Sequence, residues 1–194
     1  MNSPLRSLAG EAAACTLCAA ALPFGPRPVF RVHDEARILV AAQAPGTKVH
    51  ASGRPFTDAS GDRLRDWMGV DEAVFYAPRR VAILPMGFCY PGRGKSGDLP
   101  PRPECALTWR QRFLDLLPNL ELTLAIGQYA LAWHLEGRRR RTLTETVRDW
   151  RAFGPDLIPL PHPSPRNNLW LRKNPWFAET LLPELALRVQ RALA

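Results

Sequence analysis

The chain lacks long apolar runs and any recognisable export signal. No stretch approaches the ~18 consecutive apolar residues that a membrane-spanning helix needs. Met1 to Gly10 has neither the charged start nor the apolar run of a signal peptide. We therefore expect a cytoplasmic protein without a membrane partner. No repeat and no shift in composition divides the 194 residues, so residues 1–194 are predicted to form one domain, and we expect a monomer.

Acidic residues are few relative to basic ones. The sequence has 26 Lys and Arg against 18 Asp and Glu, which gives a net charge of +8 and a pI of about 10.0. Such an excess of arginine favours a polyanionic partner, with DNA or RNA as the first candidates. The alternative is a basic surface that is merely solvated.

Cysteine is also scarce, because only Cys15, Cys18, Cys89 and Cys105 occur. A cytosolic protein seldom keeps structural disulfides. A close pair separated by two residues, together with two more cysteines, is more typical of a metal or cluster site. Thiolates suit an iron–sulfur cluster, and a zinc ion would use the same residues.

Short apolar runs alternate with helical patterns. Buried strands are predicted at residues 37–42, 81–84, 122–126 and 157–160, and helices at a segment opening at Ser60 and at residues 104–117, 128–135, 144–150 and 176–193. This alternation predicts an α/β fold, a three-layer α/β/α domain with a central four-stranded parallel sheet. The ligand site of such a sheet lies beyond the carboxyl ends of its strands.

The loop after the first predicted strand begins with Gln43-Ala44-Pro45-Gly46. Pro45 and Gly46 favour a tight turn that brings backbone N–H groups to the strand tip. Further along, Phe56 lies between a proline and a polar run. It is predicted either to stack on a planar base or to fill the core under the loop.

The loop after the last predicted strand holds His162 between two prolines. Their restriction suits a preorganised hydrogen-bond donor, although a histidine that merely bridges loops is the alternative. Trp170, a few residues further on, is predicted either to wedge into a base stack or to pack under the C-terminal helix. The residues expected to contact phosphates are Ser164, Arg166, Asn167 and Asn168.

Together the two loops resemble the signatures of the uracil-DNA glycosylase superfamily. Gln43 to Gly46 with Gly53 to Phe56 resembles its first motif, and His162 to Asn167 resembles its second. The likeness extends from about Cys15 to Phe177. It implies a DNA glycosylase of base excision repair, which flips a damaged base out of DNA and cleaves its N-glycosidic bond. The cysteine spacing resembles the iron–sulfur families four and five and implies a [4Fe–4S] cluster on Cys15, Cys18, Cys89 and Cys105.

The resemblance also implies roles for individual residues. His162 would donate a hydrogen bond to the base oxygen that gains charge. Backbone N–H groups around Gln43 and Ala44 would hold the same edge of the base, and Phe56 would stack on it. The full base-binding set is Ala44, Gly46, Phe56, Met86 and Gly87.

Two positions depart from the family pattern. Many members have a water-activating Asp where this chain has Ala44, and the replacement candidates are Asp58, which we prefer, and His50. Asp58 has an alternative role as a helix cap. Pro85 lies about where many members have an Asn that reads uracil, so another deaminated base, or recognition through the backbone at Met86 and Gly87, is expected.

These departures leave other functions open. One alternative is a nucleic-acid-binding relative with a degenerate, non-catalytic pocket, which Ala44 and Pro85 favour. Another is a small-molecule enzyme on a doubly wound fold, with an incidental basic charge. Salt-sensitive binding would distinguish nucleic-acid partners, because phosphate contacts release counterions.

Overall fold

The computed structural model describes residues 1–194 and contains the predicted parallel sheet. Its strands are β1 (Ile38–Ala41), β2 (Val81–Ile83), β5 (Leu122–Ile126) and β6 (Leu157–Leu160). They pair in the order β2-β1-β5-β6, and every neighbouring pair is parallel. The predicted α/β class and the four strand positions are therefore confirmed. The chain passes from β1 to β2 on one side and later crosses back to β5 on the other side of β1, and this reversal creates a crevice at the carboxyl edge.

Helices cover both faces of the sheet. Alternate strand residues point to opposite faces. Ile38 and Val40 therefore join one core cluster, whereas Leu39 and Ala41 join another. The first cluster is covered by α3 (Ala59–Met68), α8 (Leu143–Arg148) and α10 (Leu182–Leu193), and the second by α1 (Ser3–Ala13), α6 (Gln111–Leu114) and α7 (Gly127–Leu135). None of these helices has the length and apolarity required to cross a membrane.

The helix predicted at residues 104–117 is interrupted and shorter. It consists of α5 (Pro103–Cys105), a π turn over Ala106–Arg110, and α6, which ends at Leu114. After α6 the backbone tightens, because the N–H of Leu117 donates to the carbonyl of Leu114 at 3.1 Å. This tighter turn directs the buried Leu117 side chain into the core.

Several short elements were not predicted. They are α2 (Thr47–Ser52), α4 (Glu72–Phe75), α9 (Asn168–Lys173) and the antiparallel hairpin of β3 (Arg93–Gly94) and β4 (Gly97–Asp98), in addition to α1. Except for α1, none is long enough to produce a clear hydrophobic period. The hairpin matters most, because it forms part of the functional site.

Candidate active site at the carboxyl edge of the sheet

A cleft of about 460 Å³ opens beyond the carboxyl ends of β1, β2 and β6. It brings together both loops that the sequence singled out, although more than a hundred residues separate them. The predicted residues that line it are Gln43, Ala44, Gly46, Phe56, Asp58, His162, Ser164, Arg166 and Asn167.

The first loop is fixed against the segment that follows β2. The N–H of Met86 donates to the carbonyl of Ala42 at 2.8 Å, and the N–H of Gly87 donates to that of Gln43 at 3.0 Å. These two donors are therefore not available to a base edge. Neither residue lines the cleft, and the Met86 side chain lies in the hydrophobic core, whereas Pro85 does face the cleft.

Phe56 lies in the cleft wall and in the core at the same time. Its φ is +56°, a left-handed conformation that is uncommon for a bulky residue. The Tyr76 hydroxyl donates to its carbonyl at 2.9 Å, and Arg65 Nη1 donates at 3.3 Å. A Cβ at Gly61 would overlap that carbonyl, so this position requires glycine. The ring packs edge-on against Phe75. Filling the core under the loop and stacking on a base are therefore compatible roles for Phe56.

Asp58 has the helix-capping role considered for it and also lies in the cleft. Its Oδ1 accepts from the N–H groups of Ser60 and Gly61 at 3.2 and 3.3 Å, which caps α3, and the residue lines the cleft. His50, the other candidate for activating water, does not line the cleft. Its ring packs near Phe24 and Tyr90, with centroids 5.9 and 6.0 Å away.

His162 is held in one orientation by its own loop. Its Nδ1 accepts from the N–H of Ser164 at 3.2 Å, and its carbonyl accepts from the Asn167 amide at 2.7 Å. Burial lowers the pKa of His162, and the nearby carboxylates of Asp58 and Asp98 only partly oppose this. The ring is therefore neutral near pH 7. Because Nδ1 accepts, the proton lies on Nε2, which can act as a donor.

The predicted phosphate-binding residues divide into two groups. Arg166 is exposed at the mouth of the cleft, and Ser164 lines it. Asn167 donates its amide within the loop, and Asn168 Oδ1 accepts from Arg63 Nη2 at 2.8 Å. Arg63 also donates to the carbonyl of Ser164 at 3.1 Å and thereby ties the second loop to α3. No local pattern around Arg63 predicts this role.

Trp170 packs under the C-terminal helix, which was one of its two predicted roles. Its Nε1 donates to Thr144 Oγ1 at 2.8 Å, and its ring packs against Trp176 and Phe177. Its neighbour Leu169 is instead 55% exposed. Leu169 is therefore the apolar residue of this loop that is free to contact a base stack.

The β3–β4 hairpin supplies a cleft residue that the sequence analysis missed. Asp98 lines the cleft, and its Oδ1 accepts from the Tyr90 hydroxyl at 3.3 Å. Its Oδ2 lies 3.6 Å from the position of a Cβ on Gly46, so it faces the first loop. Arg93 and Lys95 are exposed on the same hairpin. A hairpin with two-residue strands leaves no periodic pattern that could have placed Asp98.

A second, much smaller cavity lies behind the cleft. Cys15, Cys18, Cys89 and Cys105 all line it, among mostly apolar residues, and none forms a disulfide. Gly87 and Phe88 also line it, so the segment Leu84 to Cys89 contributes to the walls of both the cysteine cavity and the cleft. The N–H of Phe88 donates to Cys105 Sγ at 3.3 Å.

The thiols of the cysteine cavity are close without forming a finished metal site. No group of three or more His, Cys, Asp or Glu side chains is arranged to hold a metal ion. Burial raises the pKa of the Cys105 thiol to about 12 and also raises the pKa values of Cys18 and Cys89. Buried polar atoms without hydrogen-bond partners are concentrated here: Arg102 Nε, Glu104 Oε2, Trp109 Nε1 and Arg110 Nε.

Comparison with known protein families agrees with this geometry. The family model for the uracil DNA glycosylase superfamily matches residues 30–186. The match includes both cleft loops, Cys89 and Cys105, whereas Cys15 and Cys18 precede it. Because it covers well over half of the chain, the protein belongs to the uracil DNA glycosylase superfamily.

Proposed function

We propose that the protein is a DNA glycosylase that hydrolyses the N-glycosidic bond of uracil or another deaminated base flipped out of DNA. The observation that carries the proposal is the neutral, half-buried His162, whose Nδ1 accepts from Ser164 and leaves the Nε2 proton free. It lines the same cleft as Phe56. A flipped base needs such a planar apolar surface and a fixed donor.

In this mechanism the departing base takes up negative charge while the sugar gains oxocarbenium character. His162 Nε2–H donates to the base oxygen where that charge develops. The donor needs no reorganisation, because Ser164 and Asn167 already fix the ring and its backbone. A neutral donor also avoids protonating the leaving base.

Water activation is assigned to Asp58. Its Oδ1 is held by two backbone N–H groups, which fixes the carboxylate and leaves Oδ2 free. Of the two carboxylates near His162, it has the larger electrostatic effect on the histidine. Asp98 lies in the same cleft and has a smaller electrostatic effect on His162. It provides a second carboxylate near the developing positive charge of the sugar.

Base recognition differs from the usual family pattern. Pro85 has no polar side chain, and the N–H groups of Met86 and Gly87 are occupied. The Gln43 side chain lines the cleft and makes no hydrogen bond to the protein, which makes it the best candidate for reading a base edge. This supports a substrate range that includes deaminated bases other than uracil.

DNA binding follows from the surface around the cleft. Arg166 and Ser164 contact phosphates, and the exposed Leu169 wedges into the gap left by the flipped base. The net charge of +8 supports the same polyanionic partner. We expect the monomer to be the active form.

Cys15, Cys18, Cys89 and Cys105 are proposed to hold a [4Fe–4S] cluster, with zinc as the alternative. Their shared cavity, the absence of disulfides and a donor set of thiolates fit either group. The thiols must lose their protons and move together on binding, as metal sites commonly require. The bound group would supply structure rather than chemistry, by tying the N-terminal segment to the segment after β2.

The test is an assay of abasic-site formation on labelled oligonucleotides. Single- and double-stranded DNA would carry uracil, hypoxanthine or xanthine, and wild type would be compared with His162→Ala. The expected result is cleavage of at least one base, with a rate about 100- to 1000-fold lower in the variant, as for the loss of one electrostatic donor. His33→Ala is the matched control, because His33 bonds the N-terminal amine and does not line the cleft.

The alternative is a DNA-binding relative without catalysis. Failure to release any of these bases, combined with binding that weakens steeply as salt rises, would support that alternative and exclude the glycosylase. A protein that neither cleaves these substrates nor binds DNA in a salt-sensitive way would exclude both functions.

A further inference from the structure

Arg110 is a buried cation without an anionic partner. Its side chain is 1% exposed, and no carboxylate lies within ion-pair distance of it. Nη1 donates to the carbonyl of Leu84 at 2.8 Å, Nη2 contacts His134 Nε2 at 2.5 Å, and Nε has no partner. All of its partners are neutral acceptors.

An unpaired buried charge is normally costly. Desolvation strongly destabilises an ion in the interior unless an opposite charge compensates it. His134 cannot supply that charge, since burial lowers its pKa to about 3 and the ring is neutral. Arg110 itself remains protonated at pH 7, because burial lowers its pKa only to about 9.

The position of Arg110 relates it to the cysteines. It closes the π turn that begins directly after Cys105, and Trp109 of the same turn lines the cysteine cavity. π turns occur often at functional sites. Cys105 and Arg110 lie five residues apart, at the two ends of this turn, and a thiolate at Cys105 would stabilise the guanidinium.

The expected contents of the cysteine cavity would supply the missing charge. Four thiolates carry more negative charge than a zinc dication or an oxidised iron–sulfur core carries positive charge, so the complete group is an anion. Arg110 is the only arginine or lysine of the chain that is buried, and it has no carboxylate partner. The nearby Arg102, by contrast, is paired with Glu104.

We propose that Arg110 is the interior counter-charge of the group held by the four cysteines, and that it positions the segment Leu84 to Cys89 between the cysteine cavity and the cleft. This inference rests on the proposed cysteine-bound group. It does not depend on which base the cleft accepts.

The hydrogen bonds of the Leu84 to Cys89 segment support the second part of the proposal, that Arg110 positions this segment. Arg110 holds its start through Leu84 and Pro85, and Cys105 Sγ accepts from Phe88 near its end. Between these points, Met86 and Gly87 bond to the first cleft loop. These hydrogen bonds connect Cys105 and Arg110 to Pro85 in the cleft wall through one short segment.

The experiment compares Arg110→Met and Arg110→Lys in the full chain. Arg112→Met is the matched control, because Arg112 lies on the same helix but is half-exposed and pairs with Glu11. Metal and sulfide contents, metal retention against a chelator, and Tm of the loaded and the stripped protein are measured. If iron is present, the reduction potential is measured as well.

Loss of the counter-charge should have opposite effects on the Tm of the loaded and the Tm of the stripped protein. Arg110→Met should lower metal retention and the Tm of the loaded protein, but should raise the Tm of the stripped protein by removing an unpaired charge. A cluster should become harder to reduce and its potential should fall. Arg110→Lys should remain closer to wild type, and Arg112→Met should change neither retention nor potential.

The outcomes separate the two proposals. A wild-type protein without metal would refute the cysteine-bound group itself. A loaded wild type in which Arg110→Met shifts both Tm values equally, with retention unchanged, would overturn the role of Arg110. If Arg110→Met does not fold, Arg110→Lys and Arg110→Gln are compared, and equal metal retention in these two would overturn it.

Discussion

The cleft and the cysteine cavity share one short wall segment, Leu84 to Cys89, yet they are built in different ways. The cleft is large, open and lined largely by polar, proline and glycine residues. Its main side chains already have partners that fix them: Asp58 caps a helix, His162 accepts from Ser164, and the Phe56 carbonyl accepts from Tyr76. The cleft is therefore preorganised before any ligand binds.

The cysteine cavity is small and mostly apolar, and its polar groups are incompletely satisfied. Four thiols face it, and the unpartnered nitrogens of Trp109 and Arg110 lie nearby. Buried polar atoms without partners are rare in folded proteins and need an explanation. This difference fits the proposed functions, in which the cleft would bind a transient ligand and the cavity a permanent one.

After that of His162→Ala, the largest effect is expected from Asp58→Asn in the cleft. Asparagine caps a helix about as well as aspartate, so α3 should stay intact while the water-activating charge is lost. The glycosylase rate under single-turnover conditions should fall about 100-fold. Asp98→Asn should cause a smaller loss, and both variants should retain wild-type metal content. A larger loss in Asp98→Asn than in Asp58→Asn would mean that Asp98, rather than Asp58, activates water.

A comparable or somewhat smaller effect is expected from Phe56→Leu, which preserves apolar bulk but removes the aromatic face. Base stacking on an aromatic ring contributes about 1–3 kcal/mol, so single-turnover kcat/KM should fall roughly 5- to 150-fold. Tyr76→Phe should cause a smaller loss, because it removes only the hydrogen bonds from its hydroxyl to the backbone carbonyls of Pro55 and Phe56. An unchanged rate in Phe56→Leu would mean that Phe56 serves the core alone.

Arg166→Ala tests whether the cleft mouth binds phosphate. Binding should weaken by a similar factor for every DNA sequence, and the slope of log K against log salt should fall by about one. Fluorescence anisotropy over a salt series measures both quantities. Arg102→Ala on the cysteine-cavity side provides the comparison, and an equal change of slope there would show that the two sides do not differ in DNA contact.

The smallest effect is a change in the pH dependence of stability near the cysteine cavity. The pKa of His134 is about 3 in the folded chain against an ordinary value of 6.5, so the unfolded chain binds this proton first as pH falls. Stability should therefore decline from about pH 6.5 towards pH 3. His134→Gln keeps an acceptor for Arg110 but cannot titrate, so its Tm should depend less on pH. An equal dependence of Tm on pH in wild type and in His134→Gln would contradict the assignment of this pH dependence to His134.

Much of the fold could be predicted from the chain because the relevant signals are local. Apolar runs such as Leu122–Ile126 are too short for helices and are bounded by turn residues, and all four appeared as strands. The two cleft loops follow strands directly, so the topology of a parallel sheet brings them to one edge. Gln43, Phe56 and His162 could be singled out for that reason.

The missed features depend on contacts between distant segments. Asp98 reaches the cleft through a hairpin with two-residue strands, and Arg63 bonds to the second loop 101 residues away. The backbone at Met86 and Gly87 looked available for a base until its partners in the first loop were known. Hydrogen-bond partners across the fold leave no trace in local periodicity.

The sequence by itself determined the α/β class, the strand positions and the two loops, because hydrophobic period and turn chemistry act over a few residues. Only the tertiary structure decided that Asp98 joins the cleft, that four cysteines share one cavity, and that Arg110 is buried without a carboxylate. Burial and electrostatic pairing are properties of the packed chain, since they depend on which distant groups exclude water from a given atom.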